Sequence, residues 1–176
     1  MAIVTFSMII VVLAVTVLSS ISDVRSLRIP DWHALVILGC FIPAWLASPV
    51  AFGNIWQHVG AMGIMFAVTY IMFCAGIMGG GDSKLGTVLG LWTGLSGLIP
   101  FIMYMAIFGG VLGGVALVMR NRKVFKNPLP RSWIEQLQNG RNAMPYGVAI
   151  SFGAWAAFIQ TGIIHNQLNE VFKIIH

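Results

Sequence analysis

The sequence predicts an all-α, polytopic membrane protein with about six transmembrane helices. Its 176 residues are 58% hydrophobic and only 9% charged, whereas a soluble domain carries about 25% charged residues. The apolar residues also fall into runs of about 20, the length that spans the hydrocarbon core of a bilayer as a helix. We therefore expect a single integral-membrane domain over residues 1–176, with lipid as its main solvent.

Six apolar segments satisfy this length rule. The first lacks the basic region and the cleavage site of a signal peptide, so we interpret it as a retained helix. The fourth and fifth are separated only by a short uncharged turn at residues 96–100, which leaves open a five-span topology with a re-entrant segment there. The predicted spans are residues 3–21, 34–52, 56–78, 84–98, 100–119 and 143–164.

The basic residues predict which side of the membrane each loop faces. In the six-span topology nine of the ten Lys and Arg residues fall on one side, and Lys173 is the exception. The positive-inside rule makes that side cytoplasmic, so the N- and C-termini lie outside a cytoplasmic (inner) membrane. Topology thus explains the net charge of +5, and no nucleic-acid partner is expected. The nine are Arg25, Arg28, Lys84, Arg120, Arg122, Lys123, Lys126, Arg131 and Arg141.

Two amphipathic segments are predicted outside the spans. In the cytoplasmic loop 120–142, Ser132 and Glu135 form a capping-box pattern that predicts a short helix, with Trp133 at the level of the lipid headgroups. Apolar residues of the tail recur at helical spacing, so both segments are expected to lie on the membrane surface in contact with lipids. The apolar tail positions are Leu168, Val171, Phe172 and Ile175.

Glycines at intervals of four residues predict close helix packing, because small residues let helix backbones approach each other in lipid. They occur in the fourth and fifth predicted spans. The sets are Gly86 with Gly90 and Gly94, Gly109 with Gly113, and Gly110 with Gly114.

Two carboxylates are expected to meet at the cytoplasmic face. Asp82 follows three glycines at residues 79–81 within apolar sequence, where an ionisable residue costs about 2.5–3.5 kcal/mol on insertion. Asp23 lies at the cytoplasmic end of the first span, at a similar depth. A pair of carboxylates is the minimum for aspartic proteolysis, in which one activates a water and the other donates a proton to the scissile carbonyl.

Structural roles explain the same two residues equally well from chemistry alone. Asp82 would cap a helix that begins near Ser83. Asp23 would form a surface ion pair with Arg25 or Arg28. Neither of these roles requires the protein to be an enzyme.

The neighbouring residues are interpreted in the same way, from their local chemistry. Asp31 follows Pro30 and is interpreted as the N-cap of the second span. The glycines at residues 79–81 would be a flexible hinge, or would hold non-helical backbone beside a water-filled site. Lys84 would anchor at the headgroups or would favour the charged form of a nearby carboxylate.

No metal and no cofactor are expected. Histidines 33, 58, 165 and 176 scatter over both faces without the spacing of metal ligands. The sequence also lacks a nucleophilic serine motif, a phosphate-binding loop and a dinucleotide fingerprint.

Three motifs occur in order along the chain. The first is Asp23 with Arg25, Arg28 and Ile29-Pro30-Asp31, the second is Gly79-Gly80-Gly81-Asp82-Ser83-Lys84-Leu85, and the third is Met144-Pro145-Tyr146-Gly147-Val148-Ala149. Together they resemble the type IV prepilin peptidases, whose second aspartate motif is Gly-x-Gly-Asp.

This resemblance implies a six-helix GxGD-type aspartyl membrane protease that removes the short basic leader from a prepilin or pseudopilin. It implies that Asp23 and Asp82 are the catalytic pair, that Gly79 and Gly81 shape the loop presenting Asp82, and that Lys84 supports it. The large bifunctional members carry paired Cys-x-x-Cys motifs that this sequence lacks, so N-methyltransferase activity and zinc are not expected. The chain looks most like the CpaA/TadV peptidases of Flp-type pili, with an archaeal preflagellin peptidase as a related alternative.

Two other classes of function remain open. A small proton- or cation-coupled transporter would use the same carboxylates as ion sites, although the sequence has no convincing half-repeat. A non-enzymatic assembly subunit would tolerate conservative substitution of either aspartate as long as helix capping is kept.

Overall fold

A computed structural model describes residues 2–120, 128–141 and 144–175, with side chains described as far as Phe172. These ranges form eight helices and no strand, which confirms the all-α prediction. The predicted cytoplasmic bases Arg122, Lys123 and Lys126 lie outside the described residues. The helices are α1 (Ala2–Ser26), α2 (Asp31–Ala47), α3 (Pro49–Phe52), α4 (Ile55–Cys74), α5 (Gly80–Arg120), α6 (Trp133–Gln138), α7 (Tyr146–Gln160) and α8 (Ile163–Ile175).

Several of these helices are suited to a membrane. Among the described residues, α1, α4 and α5 are long and apolar enough to cross it, and α7 with α8 forms a fourth candidate that is bent by 56°. Helix α2 is apolar but shorter, at 17 residues. The chain is therefore a multi-pass membrane protein, while the count of six spans and the orientation of the termini stay predictions.

Helix α5 reverses direction at Gly94. A continuous helix of its 41 residues would be about 60 Å long. However, Gly76 and Ile77, just before the start of α5, line the same cavity as Gly113 and Arg120 near its end, so the two ends of the helix lie close together. Gly94 has φ 62° and ψ −179°, a conformation that only glycine adopts readily. The helix therefore consists of a first arm, residues 80–93, and a second arm, residues 95–120. The break lies just before the turn predicted at residues 96–100.

The first arm packs closely on α4, as the predicted glycine face requires. A β-carbon on Gly86 would lie 3.1 Å from the Thr69 side chain, and one on Gly90 would lie 2.6 Å from Met65. Gly94 is similarly covered by His58, at 3.0 Å. The predicted packing face is confirmed, because any larger residue would push α4 away.

The second arm packs on α7 through a different glycine. A β-carbon on Gly153 would lie 2.8 Å from the backbone nitrogen of Met105. A β-carbon added to Gly109 or to Gly113 would lie 3.8 Å from Met144, an ordinary contact distance. The prediction was wrong for the third set, Gly110 and Gly114, since neither has a described neighbour within 4 Å of an added β-carbon.

The helices converge at two ends of the bundle. At the carboxylate end, Gly81 of α5 and Gly147 of α7 both contact Ile29, which follows α1. At the aromatic end, Phe41, Phe52, His58 and Trp92 form edge-to-face and tilted contacts. Asn166, Gln167, Asn169 and Glu170 of α8 line a cavity with Ala2 and residues 47–51, so the start of α1 and the middle of α8 lie at the aromatic end.

The two predicted amphipathic segments are helical. Ser132 accepts a hydrogen bond from the Glu135 N–H at 3.3 Å, but the Glu135 carboxylate accepts from the Arg131 N–H, so only half of the capping box is confirmed. Trp133 is buried against Ala116 and Leu137, and its position at the level of the headgroups stays a prediction. The tail forms α8 as predicted.

Candidate active site

Asp23 lies on the last turn of α1 and points into the protein. It is 2% exposed, and its Oδ2 accepts a hydrogen bond from the Gly147 N–H at 2.7 Å. The partner is the second residue of α7, where the first N–H groups of a helix have no partner within the helix. The alternative of a surface ion pair with Arg25 or Arg28 was wrong, because the carboxylate is buried and bonds to backbone.

Asp82 is the third residue of α5 and is also buried, at 7% exposure. Its Oδ2 accepts a hydrogen bond from the Gly79 N–H at 3.1 Å. A carboxylate at this position commonly reaches back to the N–H before the helix, as in a capping box. The prediction that Asp82 caps the helix is therefore confirmed, but the helix begins at Gly80 rather than near Ser83.

The second oxygen of Asp82 has a different environment. Asp82 Oδ1 is buried and has no hydrogen-bond partner among the described residues. Leaving a buried polar atom unpaired costs about 1–3 kcal/mol, and more for a charged group. Capping thus accounts for one oxygen of this carboxylate and leaves the other to bind a donor, such as a water or a protonated carboxyl group.

The glycines before Asp82 are needed for close approach. A β-carbon on Gly81 would lie 3.0 Å from the carbonyl oxygen of Ile29, and one on Gly79 would lie 3.0 Å from Asp82 Oδ2. Gly80 and Gly81 belong to the first turn of α5. The prediction of non-helical backbone here was therefore wrong for these two residues, and only Gly79 lies outside the helix.

The two carboxylates share one site. Asp23 and Asp82 line a cavity of about 500 Å³ with residues 27–31 and 79–81. They are close enough to interact electrostatically, and the Gly147 amide that binds Asp23 also lies near Asp82. The expectation that the two aspartates meet is supported by this geometry, although it does not test their catalytic role.

Asp31, which also lines this cavity, forms an ion pair with Lys84. Lys84 Nζ lies 2.7 Å from Asp31 Oδ1, and both side chains are more than half exposed. Asp31 is the first residue of α2, and the N-cap is Pro30, which makes no side-chain cap. The N-cap prediction for Asp31 was therefore wrong. Lys84 binds Asp31 rather than either buried carboxylate.

Two further residues contribute to the site, and both lie in the sequence motifs without an assigned role there. Gly147 supplies the N–H that binds Asp23, and Ile29 packs between Gly81 and Gly147. The signal for Gly147 was its position directly after Pro145-Tyr146, since proline is common at helix starts. The described residues contain no group of three or more His, Cys, Asp and Glu side chains that could hold a metal.

Comparison with known proteins identifies the family. The family model described as the type IV leader peptidase family matches residues 9–114, a range that includes both buried aspartates. This match does not favour the transporter interpretation. No solved structure gives a significant match to the chain.

Two curated relatives are both named prepilin leader peptidase/N-methyltransferase. The protein of Xanthomonas campestris pv. campestris is 30% identical over 81 residues, which cover 46% of this chain and 23% of the relative. The protein of Bacillus subtilis is 26% identical over 121 residues, which cover 69% of this chain and 48% of the relative. The chain therefore spans about a quarter to a half of the length of these relatives. Because the family match covers more than half of its residues, the chain belongs to the type IV leader peptidase family.

Proposed function

We propose that this protein is an aspartic endopeptidase that removes the leader from prepilin-like precursors, with Asp23 and Asp82 as the catalytic pair. The observation that carries the proposal is the meeting of two buried carboxylates in one cavity, where one carboxylate oxygen has no partner among the described residues. Burying two carboxylates together is costly for stability alone. A reaction that uses both explains why the fold bears this cost.

The proposed chemistry needs only a water and the two side chains. One carboxylate, ionised, takes a proton from the water as its oxygen attacks the carbonyl carbon of the scissile peptide bond. The other, protonated, donates its proton to the carbonyl oxygen, which gives a neutral gem-diol. The C–N bond then breaks, the leaving nitrogen takes one proton, and a hydroxyl of the diol returns the other. Both carboxyl groups regain their starting protonation.

The Gly147 amide holds Asp23 for this reaction. Its hydrogen bond of 2.7 Å fixes one carboxylate oxygen, as the Gly79 amide fixes one oxygen of Asp82. Each catalytic side chain thus has one anchored oxygen. Holding catalytic groups in a productive geometry before substrate arrives lowers the entropic part of the barrier.

The substrate class is inferred from relatives and from topology. Both curated relatives are named as prepilin leader peptidases, and the resemblance to the CpaA/TadV peptidases favours precursors of the Flp type. The carboxylate end would face the cytoplasm under the positive-inside rule. A precursor whose basic leader stays cytoplasmic would then place its scissile bond beside Asp23 and Asp82, in the inner membrane.

Conservative substitution tests the pair. Purified wild-type protein and its Asp23→Asn and Asp82→Asn variants would be incubated with a Flp-type prepilin, and the cleaved product would be measured. We expect each variant to lose about 10²–10⁴-fold in rate, the usual contribution of a catalytic acid or base.

Asp31→Asn is the matched control, because this residue lines the same cavity but is exposed and paired with Lys84. It should keep cleavage within about threefold of wild type, since exposed ion pairs contribute about 1 kcal/mol or less. Normal cleavage by Asp23→Asn or by Asp82→Asn would contradict the assignment.

A further inference from the structure

We propose that a lateral groove beside the carboxylates receives the apolar helix of the substrate, the segment that follows the scissile bond. This inference rests on the proposed function and names where its substrate binds. The groove lies between the end of α4 with the turn after it and the second arm of α5. Its floor is formed by Met144 and Tyr146, which line both of its adjoining cavities, of about 460 Å³ and 360 Å³.

The groove exists because α5 reverses at Gly94. The first arm packs on α4 through Gly86 and Gly90, and the second arm packs on α7 through Gly153. Between the second arm and the end of α4 with the turn after it lie two cavities that residues from both sides line. The second arm therefore keeps one face, at Gly110, with no described atom within 4 Å of an added β-carbon.

The residues on this face suit a helix rather than lipid tails. Gly109, Gly110 and Gly113 all line the groove. Surfaces that contact lipid do not need glycine, whereas small residues on a helix let a second helix approach closely. From Ile102 to Leu117 the lined stretch is about 22 Å long, which is most of the hydrocarbon thickness of about 30 Å.

The groove leads to the carboxylates. Tyr146 lies in its floor, is close enough to Asp82 to interact electrostatically, and directly precedes Gly147, which binds Asp23. Met78 lines the groove and directly precedes Gly79. A helix in the groove would therefore bring the peptide bond at its end next to Asp23 and Asp82.

The lining also favours a protein helix with variable side chains. Four methionines, Met72, Met78, Met105 and Met144, line the larger cavity. Methionine is unbranched and adapts to irregular surfaces, so methionine-rich surfaces accept different apolar partners. Among possible occupants, only the substrate must deliver a peptide bond to the carboxylates. We therefore assign the groove to the substrate helix rather than to lipid or a second copy of the chain.

Filling the groove tests this assignment. Gly110→Leu places a side chain in open space, so the protein should fold normally while the groove is blocked. Gly63→Leu is the matched control, since Gly63 also has no neighbour within 4 Å of an added β-carbon and lies on the opposite side of α4 from Met72. Cleavage of a purified full-length prepilin would be measured at several substrate concentrations, together with the melting temperature.

We expect Gly110→Leu to raise the KM for the full-length precursor at least about tenfold, with kcat and the melting temperature close to wild type, and Gly63→Leu to change neither. An unchanged KM for Gly110→Leu, with wild-type cleavage intact, would overturn the groove and leave the proposed function standing. A lowered kcat with unchanged KM would also overturn it.

A binding measurement separates the groove from catalysis. In the Asp82→Asn protein, a photo-crosslinker at position 113 should capture the purified precursor through its apolar helix, and one at position 63 should not. Capture of a second copy of the chain, or of lipid only, at position 113 would contradict the proposal. If position 113 captured the precursor helix but the wild-type protein did not cleave the precursor, the result would support the groove and contradict the proposed function.

Discussion

The two ends of the bundle differ in what lies between the helices: aromatic rings at one end and two buried carboxylates at the other. At the aromatic end, Phe41, Phe52, His58 and Trp92 fill the space between the helices with ring centroids 5.2–6.0 Å apart. Both ring nitrogens of His58 lie close to backbone carbonyls there, those of Leu91 and Phe52. The carboxylate end instead places two buried carboxylates around a cavity of about 500 Å³, where Asp82 Oδ1 has no hydrogen-bond partner among the described residues.

This difference shows how a small membrane protein can keep a buried polar site in place. Trp92 at the end of the first arm of α5 donates a hydrogen bond to the Ile37 carbonyl at 2.9 Å, which ties that arm to α2. The other end of the same arm carries Asp82. A rigid aromatic end therefore helps to position a carboxylate that its own surroundings satisfy only in part.

The largest expected effect on stability is at the reversal, with Gly94→Ala. Backbone strain at its positive φ costs about 1–3 kcal/mol, and contact of the new methyl group with His58 adds about 1–3 kcal/mol. Gly53→Ala is the control, because Gly53 also has a positive φ but no neighbour within 4 Å. Thermal unfolding in detergent should show a greater loss for Gly94→Ala. Equal losses would mean that packing against His58 contributes nothing.

Two glycines of α7 should separate activity from stability. In Gly147→Ala the new methyl group would meet Asp23 Oδ2 at 2.9 Å and Ile29 at 2.8 Å. Displacing Asp23 should lower the rate of leader cleavage about 10- to 100-fold, with a smaller change in melting temperature. In Gly153→Ala the methyl group meets the Met105 backbone, so melting temperature should fall more than activity at low temperature. If the loss of cleavage rate relative to the loss of melting temperature were the same in both variants, the Gly147 amide would have no special role.

His58→Phe should weaken the aromatic end without changing the chemistry. The ring volume is nearly kept, but the contacts of His58 with the carbonyls of Leu91 and Phe52, at 2.7 and 2.9 Å, are lost. We expect a loss of about 1–3 kcal/mol of stability and normal cleavage well below the melting temperature. His165→Phe, at an exposed position on α8, should change melting temperature little. A catalytic defect in folded His58→Phe protein would contradict this division between the two ends.

The smallest expected effect is that of Lys84→Met. The Lys84–Asp31 ion pair is exposed, and such pairs contribute about 1 kcal/mol or less. Cleavage by Lys84→Met should stay within about threefold of wild type, with Asp82→Asn purified and measured in parallel. A loss as large as that of Asp82→Asn would show that this ion pair, and not only the buried carboxylates, controls the site.

Local sequence determined much of this protein. The apolar runs predicted the helices, because backbone polar groups in lipid must bond within a helix. The spacing of Gly86 and Gly90 predicted where two helices meet. The motif around Asp82 and its place beside a charged loop predicted which carboxylates would be central.

Only the tertiary structure decided how the site is built. Asp23 and the Gly147 N–H that binds it are 124 residues apart, and no local pattern specifies such a pairing. The break at Gly94 depends on the fit of His58 against it, and the open face at Gly110 depends on what the neighbouring helices leave uncovered. Periodicity and motifs record the preferences of short segments, whereas close approach between distant helices is settled by how all of them pack together.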